Sequence, residues 1–171
     1  MHTLNGIHLA DVQAVYSGAE GRLWELLMGE QIHIGGLQSS LDLAERAVIP
    51  AGGRGVDFCC CTGAGMRFLL RFRNVAHMTG VDATPAVLAL ARQRATAEGV
   101  TDRTTFVEAN VCASGLADGS FDFVWGEDAW FKIIGFDQAL AGALLGEMRF
   151  LQSLAEAGQI IQGLIVAQKG K

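Results

Sequence analysis

A chain of 171 residues with 13 Lys and Arg against 18 Asp and Glu, a net charge of -5, suits one domain and is too short for two of ordinary size. Half of it is hydrophobic, 18% is charged and the mean hydropathy is +0.29, which excludes disordered and fibrous chains; the acidic balance argues against a general nucleic-acid binder, whose phosphate contacts need a basic surface. The richest late apolar run, residues 139–151, is interrupted by Glu147 and Arg149 and falls short of the ~18 apolar residues a membrane span requires.

The first 15 residues carry His2, His8 and Asp11 among apolar ones, with neither a basic leader nor a continuous apolar core, so no secretory signal is expected. Cys59, Cys60 and Cys61 are consecutive and Cys112 stands apart. That spacing supports neither a disulfide framework nor a paired metal site, and the reading is a reducing, cytoplasmic protein without a metal.

In chain order, Ser39 or Ser40 is placed to cap a helix over residues 41–48, with Asp42 three residues after Ser39, and Pro50 with Gly52 and Gly53 ends it. Residues 55–59 follow as a short buried strand, residues 62–65 as a glycine-containing turn. Residues 66–72 have helical spacing, with Phe68, Leu69 and Phe72 inward and Arg67 and Arg71 outward. Residues 77–82 form a second strand. Thr84 and Pro85 supply the cap and first position of a helix running to about Glu98 and closed by Gly99. Residues 104–108 are a third strand and residues 121–125 a fourth, after a turn at 117–120. Beyond them the pattern gives a strand at 131–136, an amphipathic helix at 138–157 carrying Leu140, Leu144, Leu145, Met148, Leu151 and Leu154, and a last strand at 160–167. Strands alternating with helices of this length imply right-handed crossovers and a parallel sheet, an α/β fold.

Such a sheet binds its ligand at the carboxyl ends of the strands, where the strand order reverses. A phosphate-binding P-loop is excluded, because no Gly-Lys-Ser/Thr follows any strand. A dinucleotide fingerprint begun at Gly63 and Gly65 would place its third glycine at position 68, which is Phe68; an NAD-dependent oxidoreductase is the weakest alternative.

The run DFCCCTGAG, residues 57–65, resembles motif I of the class I, Rossmann-like S-adenosylmethionine (SAM) methyltransferases, an acidic residue followed by GxGxG. GVD at 80–82 resembles their second motif, with Asp82 lying 25 residues after Asp57, near the roughly 20 expected of a ribose-binding carboxylate. EANV at 108–111 resembles the segment that holds the adenine edge, and LADGSFDFVW at 116–125 the fourth motif. GEQIHIGG at 29–36 resembles a segment of small-molecule methyltransferases, including the sarcosine/dimethylglycine and tocopherol types. The resemblance implies a doubly wound, mostly parallel sheet in one domain: a helical cover over residues 1–50, a cofactor-binding core over 51–130 and a closing strand, helix and strand over 131–171.

It also implies a cofactor, S-adenosyl-L-methionine, and its site. The Asp82 carboxylate can accept both ribose hydroxyls, with Ala83 beside it. Gly63 and Gly65 let the backbone approach the aminoacyl part. Asp57 can act through the turn or on the cofactor's ammonium, Asn110 can read the adenine amine and the Val111 N–H a ring nitrogen. Cys59 and Cys61 stand where the family has its first two glycines; cysteine takes positive φ less readily than glycine, so either these positions have ordinary φ or the cofactor sits displaced.

Methyl transfer is an in-line displacement, so the protein mainly orients the acceptor and excludes water. The candidate catalytic residues are His33 and Tyr16, in the segment before motif I, and Asp128, which with Glu127 follows the fourth strand and is preferred to His33. Trp130 and Phe131 offer π faces to a cationic group. The family's fifth strand and substrate-covering insert are not evident: only Ala129 and Trp130 separate the Glu127 and Asp128 loop from the next strand, too few for a crossover. The expectation is a SAM-dependent methyltransferase of a small molecule, nitrogen slightly favoured as acceptor. The alternative is a SAM-fold scaffold without turnover. The expected partners are a small-molecule acceptor and a second copy of the chain, with neither nucleic acid nor membrane.

Overall fold

The computed structural model describes residues 8–33 and 35–128. Its elements are α1 (Leu9–Ser17), α2 (Ala19–Met28), α3 (Gly36–Arg46), β1 (Arg54–Phe58), α4 (Ala64–Phe72), β2 (His77–Asp82), α5 (Pro85–Ala97), β3 (Thr104–Glu108) and β4 (Phe123–Trp125), with short 3-10 turns at Thr101–Arg103 and Val111–Ala113. The strand, helix and strand expected beyond residue 130, and the question of a missing fifth strand, lie outside the described residues.

The four strands form one parallel sheet in the order β3-β2-β1-β4, as the α/β reading expects. From β1 the chain steps outward through α4 to β2 and through α5 to β3, then returns to pair β4 on the other side of β1. The order therefore reverses between β1 and β4, and the crevice at their carboxyl ends is where such a sheet takes its ligand. Asp57 is paired with Gly80 on β2 and Trp125 on β4, so three strand ends meet at one point.

The apolar spacing of α4 and α5 explains the core. Met66, Leu69, Met78 and Leu88 are fully buried, with Val56, Val75 and Val81 among them, and each such side chain contributes about 1.5–3 kcal/mol relative to exposure. Pro85 opens α5 after an extended Thr84, and Gly99 turns the chain out of it at φ 69°.

Three expectations are corrected. The helix expected at 41–48 is α3, begun earlier because left-handed Gly35 (φ 88°) is its cap; Ser39 and Ser40 lie inside it, and Ser40 is fully buried. Arg67 does not face solvent: it is 5% exposed, held by Glu30, by Glu98 at 2.6 Å and by the Thr62 carbonyl at 2.6 Å, whereas Phe72 is 58% exposed. Ion pairing with carboxylates just past the ends of α2 and α5 reverses the face that spacing alone assigns. Finally β4 starts at Phe123, because Asp122 is engaged across the sheet, its N–H on the Arg54 carbonyl and its carboxylate on the Arg54 N–H.

Candidate functional site

The turn leaving β1 carries the sheet into α4. Cys59 and Cys61 have φ of 58° and 46°, and Gly63 has 74°. The alternative of ordinary φ at the two cysteines is thus overturned: the loop takes the left-handed conformations that a glycine pattern would, at about 1–2 kcal/mol for each non-glycine residue. The bend points the Cys61 N–H at Asp82 Oδ2, 2.9 Å away, and a hydrogen bond to a charged acceptor, worth about 1.5–3 kcal/mol, offsets much of that strain. The three thiols diverge. Cys59 is exposed, Cys61 half-buried and Cys60 buried in the core, and no disulfide forms among the described residues. Burial first, then Asp82, pushes the Cys61 thiol up to about 12, and burial with Asp57 raises Cys60 further still. Both thiols stay protonated and unreactive at neutral pH.

Asp82 ends β2 with both oxygens anchored: Oδ2 by Cys61 and Oδ1 by the Thr84 N–H at 2.9 Å. Each carboxylate oxygen has a second lone pair, so the group is oriented without being exhausted. Ala83, next to it, offers its carbonyl to the Gln13 side chain of α1. Asn110, just after β3, turns its Oδ1 to the Cys112 N–H at 2.9 Å, capping the 3-10 turn that Val111 opens; its amide N–H groups remain for a ligand.

At the β1 and β4 end lies an open cleft with a cavity volume of about 50 Å³, lined by Glu30, His33, Asp57, Cys59, Cys61, Gly65, Trp125 and Glu127 together with Gln31, Ile32, Thr62 and Ala64. Gly65 is required there, since a Cβ would come within 3.0 Å of Trp125 Nε1 and 3.3 Å of Asp57 Oδ2. Asp57 is 4% exposed. Burial, reinforced by Glu127 and Asp82, holds its carboxyl well above the usual carboxylate range. Glu127 is fastened on every side: Ser40 Oγ donates to Oε1 at 2.8 Å, Trp125 Nε1 to Oε2 at 3.0 Å, and His33 Nε2 lies 3.3 Å from Oε1 and 3.0 Å from Ser40 Oγ. Burial raises its carboxyl against the lowering effect of His33, Ser40 and Trp125.

Of the residues singled out from sequence, Asp57, Cys59, Gly65 and His33 share this cleft. Asp82, Ala83 and Gly63 stand at the same ends of the strands, with Asn110 and Val111 past β3. Tyr16 on α1 is 45% exposed, and its hydroxyl is raised by burial first and then by Cys61, Asp82, Cys59 and Asp128, so it is an O–H donor at neutral pH beside the turn. Asp128 follows Glu127 in a left-handed conformation, φ 54°. Trp130 and Phe131 lie outside the described residues. Ser40 and Trp125 were not anticipated; Trp125 could have been, as the last residue of a strand ending at the crevice, but nothing near Ser40 in the chain announces a partner 87 residues away.

Residues 56–151 match a family model described as a methyltransferase domain. The methyltransferase GfsG of Streptomyces halstedii is 31% identical over 98 residues, covering 57% of this chain and 35% of that protein. Among solved structures, phosphoethanolamine N-methyltransferase 2 of Haemonchus contortus, in complex with S-adenosyl-L-methionine, superposes with a TM-score of 0.67 at 19% identity, over 92% of this chain and 42% of that one. A provisionally assigned sarcosine dimethylglycine methyltransferase from Galdieria sulphuraria gives 0.59 at 21% identity, over 64% and 48%. The chain thus spans about a third of the curated relative and under half of either solved one. Among the described residues no helix is long and apolar enough to cross a membrane, and no group of three His, Cys, Asp or Glu could hold a metal ion.

Proposed function

This chain belongs to the class I, SAM-dependent methyltransferases, and from that premise we propose that it moves a methyl group from S-adenosyl-L-methionine to a small-molecule acceptor, nitrogen being the favoured acceptor atom. The observation that carries the reading is Asp82: a carboxylate at the end of β2, oriented by two backbone N–H groups, beside a left-handed turn at the switch point of a parallel sheet.

The residues fit the cofactor. Asp82 would take the ribose hydroxyls on its remaining lone pairs, Asn110 and the Val111 N–H the adenine, and the backbone of the turn from Cys59 to Gly65, with Ala83 alongside, would carry the rest. Asp57, buried near the end of β1 and lining the cleft, suits the cofactor's ammonium. When bound, the cofactor supplies a methyl group on a positively charged sulfur. The protein's part is to hold the acceptor in line and keep water out, and α1 contributes by closing on Ala83 through Gln13, in keeping with residues 1–50 as a cover. Tyr16, His33 and Asp128 are the candidates for handling the acceptor's proton. His33 Nε2 is directed at Ser40 and Glu127, which suits it to orienting rather than accepting. Nitrogen as acceptor atom rests on the likeness of residues 29–36 to amine-methylating members.

A scaffold without turnover is the second reading, supported by the two cysteines, whose Cβ atoms occupy glycine positions in the turn. Calorimetric titration with SAM and its demethylated product, followed by methyl transfer to a panel of small amines and alcohols, tests both. Binding abolished by Asp82→Ala, with transfer to an amine, supports the enzyme; binding without transfer to any acceptor favours the scaffold; no binding by folded chain overturns both.

A further inference from the structure

Resting on that reading, and deepening it, we infer that α1 and α2 together form a hinged cover, latched by the ion pair between Glu25 of α2 and Arg94 of α5, which must swing clear before the cofactor or its product passes in or out. α1 buries no residue and α2 only Gly21, whereas α5 buries Val87, Leu88, Ala91 and Ala95. Segments with so little buried apolar surface open locally at low cost. Polar contacts fasten this one instead: the Gln13 side chain donates to the Ala83 carbonyl, and Arg94 Nη2 to the Glu25 carboxylate. The two helices move as one body, since their backbones touch: a Cβ at Gly21 would lie 2.5 Å from the Tyr16 carbonyl oxygen.

The hinge is Gly29, the cap that ends α2 at φ 76°, with nothing within 4 Å of where a Cβ would stand. Immediately beyond it the chain is tied down. Glu30 is held by Arg67, Gln31 Nε2 donates to the Ala64 carbonyl at 3.5 Å, and His33 Nε2 lies 3.0 Å from Ser40 Oγ. Motion about Gly29 therefore carries the two helices and leaves the wall of the cleft in place. The cover lies across the cofactor-binding ends of the strands: Gln13 bonds the residue next to Asp82, and the Glu25 carboxylate, after burial and Asp82, helps push up the Cys61 thiol in the turn. The latch is set to release. Its side chains are 19% and 24% exposed, within reach of salt, and Arg94 Nη1 is buried without a hydrogen-bond partner among the described residues, a donor that closure leaves unsatisfied and opening returns to water.

Stopped-flow binding of S-adenosylhomocysteine to the whole chain, followed by tryptophan fluorescence, tests this; the ligand's ammonium and carboxylate cancel, so salt acts little on its approach. A latch limits entry and exit alike. Arg94→Gln should therefore raise the association and dissociation rates together, each by about three- to tenfold, with Kd kept within about twofold. Raising NaCl from about 0.05 to about 0.5 M should speed both rates in wild type and much less in the variant. Arg71→Gln, removing an exposed cation of α4, should change neither rate. Unchanged rates in Arg94→Gln overturn the inference, and so does faster dissociation with unchanged association, the mark of a site merely loosened. If Arg94→Gln does not fold, Glu25→Gln cuts the same latch from the cover side and is judged by the same outcomes. Hydrogen exchange without ligand gives a second readout: in the variant the amides of residues 9–28 should exchange faster and those of α4 and α5 should not, and acceleration spread into α5 overturns the latch. A folded wild type that does not bind S-adenosylhomocysteine overturns the cofactor site and this inference with it, whereas binding at rates indifferent to Arg94 and Glu25 overturns this inference alone.

Discussion

Replacing Cys59 by glycine should stabilise the protein. At φ 58° an L-residue costs about 1–2 kcal/mol that glycine does not, while glycine's greater freedom in the unfolded chain returns about 0.4–1 kcal/mol of that gain. Cys59 is exposed, so little apolar burial is lost. The balance is a net stabilisation of about 0.5–1 kcal/mol, which for a chain of this length raises Tm by about 1–4 °C. Urea titration of wild type, Cys59→Gly and Cys59→Ala isolates the backbone contribution, because alanine removes the thiol and keeps the Cβ. Alanine should lie within about 0.5 kcal/mol of wild type and glycine above both. Alanine as stable as glycine, or glycine the least stable of the three, would refute a left-handed Cys59.

Other outcomes follow from the same geometry. Asp82→Asn retains one acceptor for two N–H donors, so it should cost about 1–3 kcal/mol in denaturant titration and also weaken cofactor binding. Arg67→Met removes the partner of Glu30 and Glu98; because Glu30 is half-exposed, the loss should be about 2–3 kcal/mol, below that of a fully buried pair. The raised Asp57 carboxyl sets a pH dependence: folded and unfolded chains are both protonated there below about pH 4, and as pH rises the unfolded chain ionises first, so stability falls until the folded carboxyl also titrates. Asp57→Asn should therefore gain stability over wild type progressively as pH rises above about 4 in urea melts, and a pH-independent difference would contradict that account. Gly80→Ala would put a Cβ 2.5 Å from Met66 Sδ and 2.6 Å from Cys60 Sγ, an overpacking that should cost about 1–3 kcal/mol by thermal melt.

Where structure follows from local pattern it was legible. β2 and β3 have the bounds that their apolar runs and flanking turns define, and Asp82 sits at the strand end where the second motif places a ribose-binding acid. Arg67 was not legible, because its burial depends on carboxylates 37 and 31 residues away, just past the ends of α2 and α5, which no helical period encodes. The φ of Cys59 and Cys61 is a property of the turn and not of the residues that fill it: the path from β1 into α4 and the N–H bond to Asp82 impose it on whatever stands there. For the carboxylate cleft, sequence showed acids after the fourth strand, but only the pairing of β4 with β1 brings Glu127 to Asp57, and only the fold of α3 brings Ser40 to Glu127.

Cys60 divides a run of three identical letters into two kinds of position. Its sulfur rests on the bare α-carbon of Gly80 and its N–H is bonded to the Val81 carbonyl, so it rivets the loop to the neighbouring strand while the residues on either side bend outward. A one-residue insertion or deletion here would pull that rivet out of the hydrophobic interior and push a left-handed residue in. An engineer can therefore relieve positions 59 and 61 with glycine, which their left-handed φ favours, but must treat position 60 and Gly80 as a single unit, exchanged together or not at all.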